Sequence, residues 1–161
     1  DMKNIEYNEW VPAGTIVKGL FAMVSLIILF VTFAVFLFSE KLLVEDIFGV
    51  TFAWAILAFL LFVFWNFRGL RIQIKDDRLY LDYGLFNKKS FLLKEIASCQ
   101  KTKAFGRYLG VGVRYGFDGS MAYTTSFGEA VEVTPKAGRT FVFSSKKPDK
   151  VCEIIRNGMH A

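Results

Sequence analysis

GLFAMVSLIILFVTFAVFLF (Gly19–Phe38) and IFGVTFAWAILAFLLFVFWNF (Ile47–Phe67) decide what kind of chain this is. The runs are 20 and 21 residues long, and neither contains Asp, Glu, Lys, Arg or His. A bilayer core about 30 Å thick needs about 20 apolar residues of helix at about 1.5 Å each. Fourteen residues of the first run are Leu, Ile, Phe or Val. At roughly −0.3 to −0.6 kcal/mol each near a helix centre, they favour insertion by about 4–8 kcal/mol at most. Helices of a soluble core usually keep a polar stripe, which these runs lack. The first run is also too long for the apolar part of a signal peptide and has no small-x-small cleavage site. The pair reads as a transmembrane hairpin with spans 19–38 and 47–67 and an outer loop 39–46.

The flanks orient it. The loop carries Glu40, Lys41, Glu45 and Asp46, whereas Arg68, Arg71, Lys75 and Arg78 follow the second run. Positive residues stay on the cytoplasmic side. The chain after the second run is therefore expected in the cytoplasm, and two crossings return the N-terminus there too. The expectation is a multi-pass plasma-membrane protein with residues 1–18 as a cytoplasmic or interfacial segment. Trp10 and Trp65 are candidate interfacial anchors, their indoles at headgroup depth. Gly49, Ala53 and Ala58 are small residues along the second span and are candidates for close helix packing.

Residues 68–161 form the remaining domain, large enough for one modest core. It holds 17 Lys and Arg against 9 Asp and Glu, a balance of +8, while the preceding 67 residues carry 3 against 6. Under an anionic leaflet each closely approaching Lys or Arg is worth about 1 kcal/mol. No nucleic-acid-binding motif accompanies the charge, and membrane lipid is the simpler partner. Cys99 and Cys152 lack metal-type spacing, and reduced cytosol disfavours a structural disulfide. Both are read as small packing residues.

Period-two alternation marks strands at Arg71–Lys75 and Leu79–Asp82, with Asp76-Asp77 as a tight turn between them. Gly84 to Lys89 reads as a second turn and Phe91–Leu93 as a third strand. Further strands are expected at Ile96–Lys103, around Val111, Val113 and Tyr115, and at Met121–Thr125, Val131–Thr134 and Thr140–Phe143. Lys136–Arg139 is the last turn. Short links predict antiparallel pairing in a sandwich or barrel. Pro148 and Asp149 suit a helix start. Val151, Ile154, Ile155 and Gly158 then fall on one stripe of a short amphipathic helix that would cover an open end of the core.

In this order the residues resemble a family. Gly110-Val111-Gly112-Val113-Arg114, Ala122-Tyr123-Thr124, Val131-Glu132-Val133-Thr134 and Phe143-Ser144-Ser145 before Pro148 follow one another, preceded by Tyr83-Gly84-Leu85-Phe86 and basic residues. The set resembles the bacterial pleckstrin-homology-like domains that follow one or two membrane spans in small prokaryotic membrane proteins. The resemblance implies a seven-stranded antiparallel barrel-like sandwich capped by a C-terminal helix, and implies little about activity. Eukaryotic phosphoinositide-binding relatives use a basic first hairpin loop. Here that turn is Lys75-Asp76-Asp77-Arg78, whose two carboxylates would repel a phosphorylated inositol.

Positive charge lies instead at Lys88, Lys89, Lys101, Lys103, Arg107, Lys146, Lys147 and Lys150, the candidate contacts with anionic lipid. No catalytic set is apparent: the one histidine, His160, is the penultimate residue. Neither a Ser-His-Asp nor a Cys-His arrangement, nor a metal cluster, nor a cofactor motif can be built from the rest. The glycines between Gly106 and Gly119 lack the strand-loop-helix setting and Lys-Ser/Thr ending of a phosphate loop. The expected role is non-catalytic: a membrane-anchored protein-interaction adaptor or accessory subunit, homo- or hetero-oligomeric. The alternative is a sensor of anionic headgroups at the inner leaflet.

Overall fold

A computed structural model of the chain describes residues 5–38, 41, 43–108 and 110–159. His160, Glu40 and the first four residues lie outside the described residues. The chain divides into two compact units, one made of the helical pair Thr15–Trp65 and one of the residues up to Gly14 together with those from Asn66 onward.

The helical unit contains α1 (Thr15–Phe38) and α2 (Val44–Asn66). Each starts about a turn earlier than its apolar run, taking in Thr15 and Lys18 in α1 and Glu45 and Asp46 in α2. At the start of α2, Asp46 Oδ2 accepts the Leu43 N–H at 3.0 Å, satisfying a donor that the helix leaves free. Hydroxyls inside the helices bond back to their own backbone: Ser25 to Phe21 O (2.9 Å), Thr32 to Ile28 O (2.9 Å) and Thr51 to Ile47 O (2.8 Å). In hydrocarbon that leaves none of these three groups without a partner. Val17, Phe21, Val24 and Ile28 on α1, and Val50, Ala53, Leu57 and Leu60 on α2, are less exposed than their neighbours and recur every three or four residues. Phe21 stacks on Phe64 at 4.5 Å between ring centres. A pair of core helices would be mostly buried. Here none of the most apolar stretch of α1 and 6% of that of α2 is buried. Both helices are long and apolar enough to span a membrane.

The β unit holds two sheets. The first, in spatial order, is β1 (Ile5–Pro12), β2 (Gly69–Lys75), β3 (Arg78–Tyr83) and β4 (Asn87–Leu92). The second uses β5 (Ile96–Lys103), β6 (Gly112–Tyr115), β7 (Met121–Thr124), β8 (Glu129–Pro135) and β9 (Phe141–Ser144), in the order β5-β8-β9-β7-β6. A short 3₁₀ turn, Leu93–Glu95, links the sheets, and α3 (Pro148–Met159) follows. Alternation works as expected in β2 and β3, which bury Leu70, Ile72 and Ile74, and Leu79, Leu81 and Tyr83. Asp76 and Asp77 form the turn between them, both left-handed (φ 49° and 57°), the geometry of a two-residue hairpin turn that Asp tolerates. The inner faces of both sheets and Val151, Cys152 and Ile155 of α3 share one core. Tyr83 crosses it, its hydroxyl donating to Thr124 O at 2.9 Å.

Five expectations need correction. The sheets do not close into a barrel, and nine strands rather than seven are present among the described residues. One pair is parallel, β7 with β9. The turn after Tyr83 is shorter than Gly84–Lys89, because Lys88 and Lys89 already pair in β4 opposite Asp82 and Leu81. Residues 5–12, part of the segment expected as cytoplasmic or interfacial and not as a strand, pair with β2 from Tyr7↔Ile74 to Pro12↔Gly69. The inward Glu9 that interrupts β1's apolar alternation is 9% exposed. Its carboxylate accepts the Tyr7 hydroxyl (3.1 Å), the Ser145 hydroxyl (2.8 Å) and the Lys146 N–H (2.7 Å). Burial beside that carboxylate pushes the Tyr7 phenol up to about 12.

The fifth correction concerns the cysteines. Cys99 in β5 and Cys152 in α3 are bonded to each other, with Cα atoms 5.5 Å apart, not separate packing thiols. They lie 53 residues apart in sequence. Only the seating of α3 against β5 makes them neighbours. Arg156 on the same helix donates to Cys99 O at 2.9 Å.

Candidate functional site

Antiparallel β2, β3 and β4 give the β unit two distinct ends. At the attachment end lie Gly14 and Asn66, the residues that join it to the helices. Pro12 faces Gly69 there and Tyr83 faces Asn87. At the distal end lie the Asp76-Asp77 turn, Leu92 opposite Arg78, and the β8–β9 turn, whose Lys136 N–H donates to Glu95 O at 2.7 Å. Seven residues of β2 separate the two ends, roughly 20 Å at about 3.3 Å per residue.

A half-open groove of about 510 Å³ occupies the distal end, between edge strand β4 and the β8–β9 turn. Phe91, Met121 and Phe141 supply apolar surface, with the Phe91 and Phe141 rings 5.5 Å apart. Lys89, Lys136 and Arg139 stand along it against one carboxylate, Glu95. Lys89 sits opposite the buried Leu81, so it belongs to the inward face of an edge strand. Its ammonium lies 5.8 Å from the centre of the Phe91 ring. An inward charge on an edge strand discourages strand-to-strand aggregation. Here it also gives an apolar groove a cationic wall. The volume lies within the roughly 300–1,000 Å³ of ligand sites.

The eight basic residues singled out in the sequence do not form one patch. Lys88 and Lys89 are exposed on β4, on opposite faces. Lys101 is paired, its ammonium 2.7 Å from Glu129 and 3.4 Å from Asp149, and the Glu129 hydrogen bond raises its pKa. Arg107 is held between Asp118 (2.8 Å) and Glu132. Lys103 is exposed at the end of β5. Lys146 and Lys147 are exposed just before α3, and Lys150 lies 5.9 Å over the Tyr7 ring. Lys136 and Arg139 were absent from the sequence-derived set because they read as ordinary turn residues. The signal for them was their placement in a turn flanked by strands that bury Val133 and Phe141.

Trp10 is half exposed on β1. Its ring covers Gly69, where an added Cβ would fall 2.4 Å from a ring carbon, and Arg71 sits 5.9 Å from the ring centre. Trp65 is half exposed near the end of α2, 6.5 Å from Phe62. Of the small residues, Ala53 falls on the half-buried stripe of α2. Ala58 is exposed, and Gly49 has open space around it, so neither serves contact within the pair.

Among the described residues no three His, Cys, Asp or Glu converge as metal ligands would. Comparison with known proteins gives no relative: no family model matches the chain, and no curated protein is significantly similar to it.

Proposed function

We propose that this protein is a non-catalytic, membrane-anchored binding module whose β unit docks a protein partner through the distal groove. The observation that carries the reading is the groove itself: three cationic side chains against one carboxylate over an aromatic floor, at the end away from the helix attachments. Its charge favours an acidic segment with apolar side chains. Gly49 and Ala58 are exposed small residues on opposite sides of α2, each a place where a further helix could approach closely. That supports an oligomer or a larger membrane assembly.

The two packed sheets with a C-terminal helix on their core are compatible with the pleckstrin-homology-like resemblance, which rests on the order of motifs in the chain. Pairing of β1 with β2 requires residues on both sides of the helical pair to share one compartment. Arg68, Arg71, Lys75 and Arg78 against the acidic loop favour the cytoplasm of a plasma membrane. The Cys99–Cys152 bond pulls the other way, because such bonds persist in oxidising compartments. Lys and Arg next to short loops bear directly on orientation, so the cytoplasmic side is retained.

A photo-crosslinking residue at Ala137, in the groove's lining, tests the reading in native membranes. A discrete protein adduct, lost in Lys136→Glu/Arg139→Glu, is expected. Adducts that survive the charge reversal, or lipid adducts alone, would count against it. In the latter case the headgroup-sensing alternative takes its place.

A further inference from the structure

The attachment end of the β unit carries exposed apolar side chains that its core does not use. The two turns of the first sheet differ in kind. At the distal end the β2–β3 turn is Asp76-Asp77, the polar chemistry expected of a turn tip in water. At the attachment end the β3–β4 turn is Gly84-Leu85-Phe86. Leu85 is 53% exposed and Phe86 77%.

That turn is held in place. Asn66, the last residue of α2, is buried, and its Oδ1 accepts the Leu85 N–H at 2.8 Å. Gly84 is left-handed (φ 76°), and a Cβ there would fall 2.5 Å from the Asn66 carbonyl oxygen. The Leu85-Phe86 tip is therefore fixed to the residue at which the second helix ends.

A second loop is fixed to Gly14, the residue that precedes the first helix. The Gly14 N–H donates to Thr125 O at 2.8 Å, and Gly14 packs on Ser126. The next residue, Phe127, meets the edge of Phe105 at 6.4 Å between ring centres, and Phe105 is 76% exposed. The Ala104 N–H, donating to Gly128 O at 3.1 Å, ties the Phe105 loop to this one. Lys88 and Lys103, both exposed, stand two residues from Phe86 and Phe105. Apolar tips flanked by lysine suit the boundary of a bilayer, with the rings below the headgroups and the ammonium groups among anionic ones.

We infer that the Leu85-Phe86 turn and the Phe105/Phe127 loop enter the headgroup layer of the membrane that α1 and α2 cross, giving the β unit two lipid contacts beyond its covalent attachments. The occupant is lipid because both loops are pinned to the residues at which the chain passes into helices long and apolar enough to span a bilayer. The inference rests on that membrane reading and not on the groove.

Spin labels on the full-length chain in lipid nanodiscs test it, through Phe86→Cys, Phe105→Cys, Phe117→Cys and Phe30→Cys. Phe117, 95% exposed on the β6–β7 turn at the distal end, is the aqueous control, and Phe30 in α1 is the control for spanning. All four side chains are exposed, so the changes leave the core intact. The expected result is an oxygen-to-nickel-chelate accessibility ratio several-fold higher at 86 and 105 than at 117, approaching that at 30. Labels at 86 or 105 as open to the chelate as 117, with 30 protected, would overturn the inference alone. A chelate-accessible label at 30 would overturn the membrane reading and the inference with it.

Discussion

Reducing the Cys99–Cys152 bond should destabilise the β unit far more than it disturbs its native contacts. The bond closes a sequence separation of 53 residues. In the chain-entropy treatment, a loop of that size restricts the unfolded chain by about 4 kcal/mol at 25 °C, against a usual measured range of about 2–4. In the folded state α3 keeps other holds: Val151 and Ile155 are fully buried, and Arg156 still reaches Cys99 O. The helix should stay seated while the unfolded ensemble expands. For a domain of this size each kcal/mol moves the melting temperature by about 4–8 °C, so reduction should lower it by roughly 10–25 °C. The measurement is β-sheet circular dichroism on the full chain in nanodiscs, with and without reductant, the thiol state counted by alkylation and mass spectrometry. A melting temperature unchanged within about 2 °C after verified reduction would refute the reasoning. Cysteines that alkylate in native membranes without reductant would show that the bond does not form in the cell.

Three further outcomes follow from the same contacts. Glu9→Ala strips the shared acceptor from Tyr7, Ser145 and Lys146; it should cost about 2–4 kcal/mol and speed hydrogen exchange in β1, and unchanged exchange there would show that β1 is held by its ladder alone. Gly84→Ala should cost about 2 kcal/mol or more, from the left-handed backbone and the Asn66 oxygen together. Gly119→Ala, left-handed in open space, should cost only the backbone part, and equal losses at both sites would rule out the Asn66 contact. Asp118 should make stability pH-dependent in acid. Hydrogen bonds from the Ser120 side chain and backbone, then from Arg107, lower its pKa to about 2 from 3.8. Its contribution is complete above the unfolded value and is lost as pH falls from about 4 through 2. Asp118→Asn should flatten the thermal-stability slope in that window, and an unchanged slope would assign it to other carboxylates.

The helical pair and the strands β2 and β3 were legible because each declares itself locally, by an uncharged run or by two-residue alternation; of β4 only Phe91 and Leu92 were expected as strand. β5 matches its expected limits at both ends. α3 was legible from Pro148 and its three-to-four-residue stripe. What was hidden depends on distant partners. β1 carries a carboxylate on its inward face, so its alternation looks broken until Ser145 and Lys146 arrive to receive it. The Cys99–Cys152 bond and the parallel β7–β9 pair follow from how sheets and helix pack, which no local pattern encodes. The basic residues were easy to count but not to place. Lys101 and Arg107 are engaged by carboxylates that follow them by as few as 11 residues and as many as 48. Lys136 and Arg139 gain their place only when their turn comes to lie beside β4.

Pairing of β1 with β2 across the helical pair sets a timetable for synthesis. Pro12 meets Gly69 in the ladder. At about 5–20 residues per second, some 57 residues of intervening chain take roughly 3–11 s to make. Throughout that interval β1 is an orphan, finished but without the strand that shields its edge. Release from that state waits for both helices to leave the ribosome and settle. Any delay in handling the helices thus lengthens the life of an unpaired edge, the form in which a strand is most prone to pair with the wrong chain. β1 waits for its partner until both helices have been made.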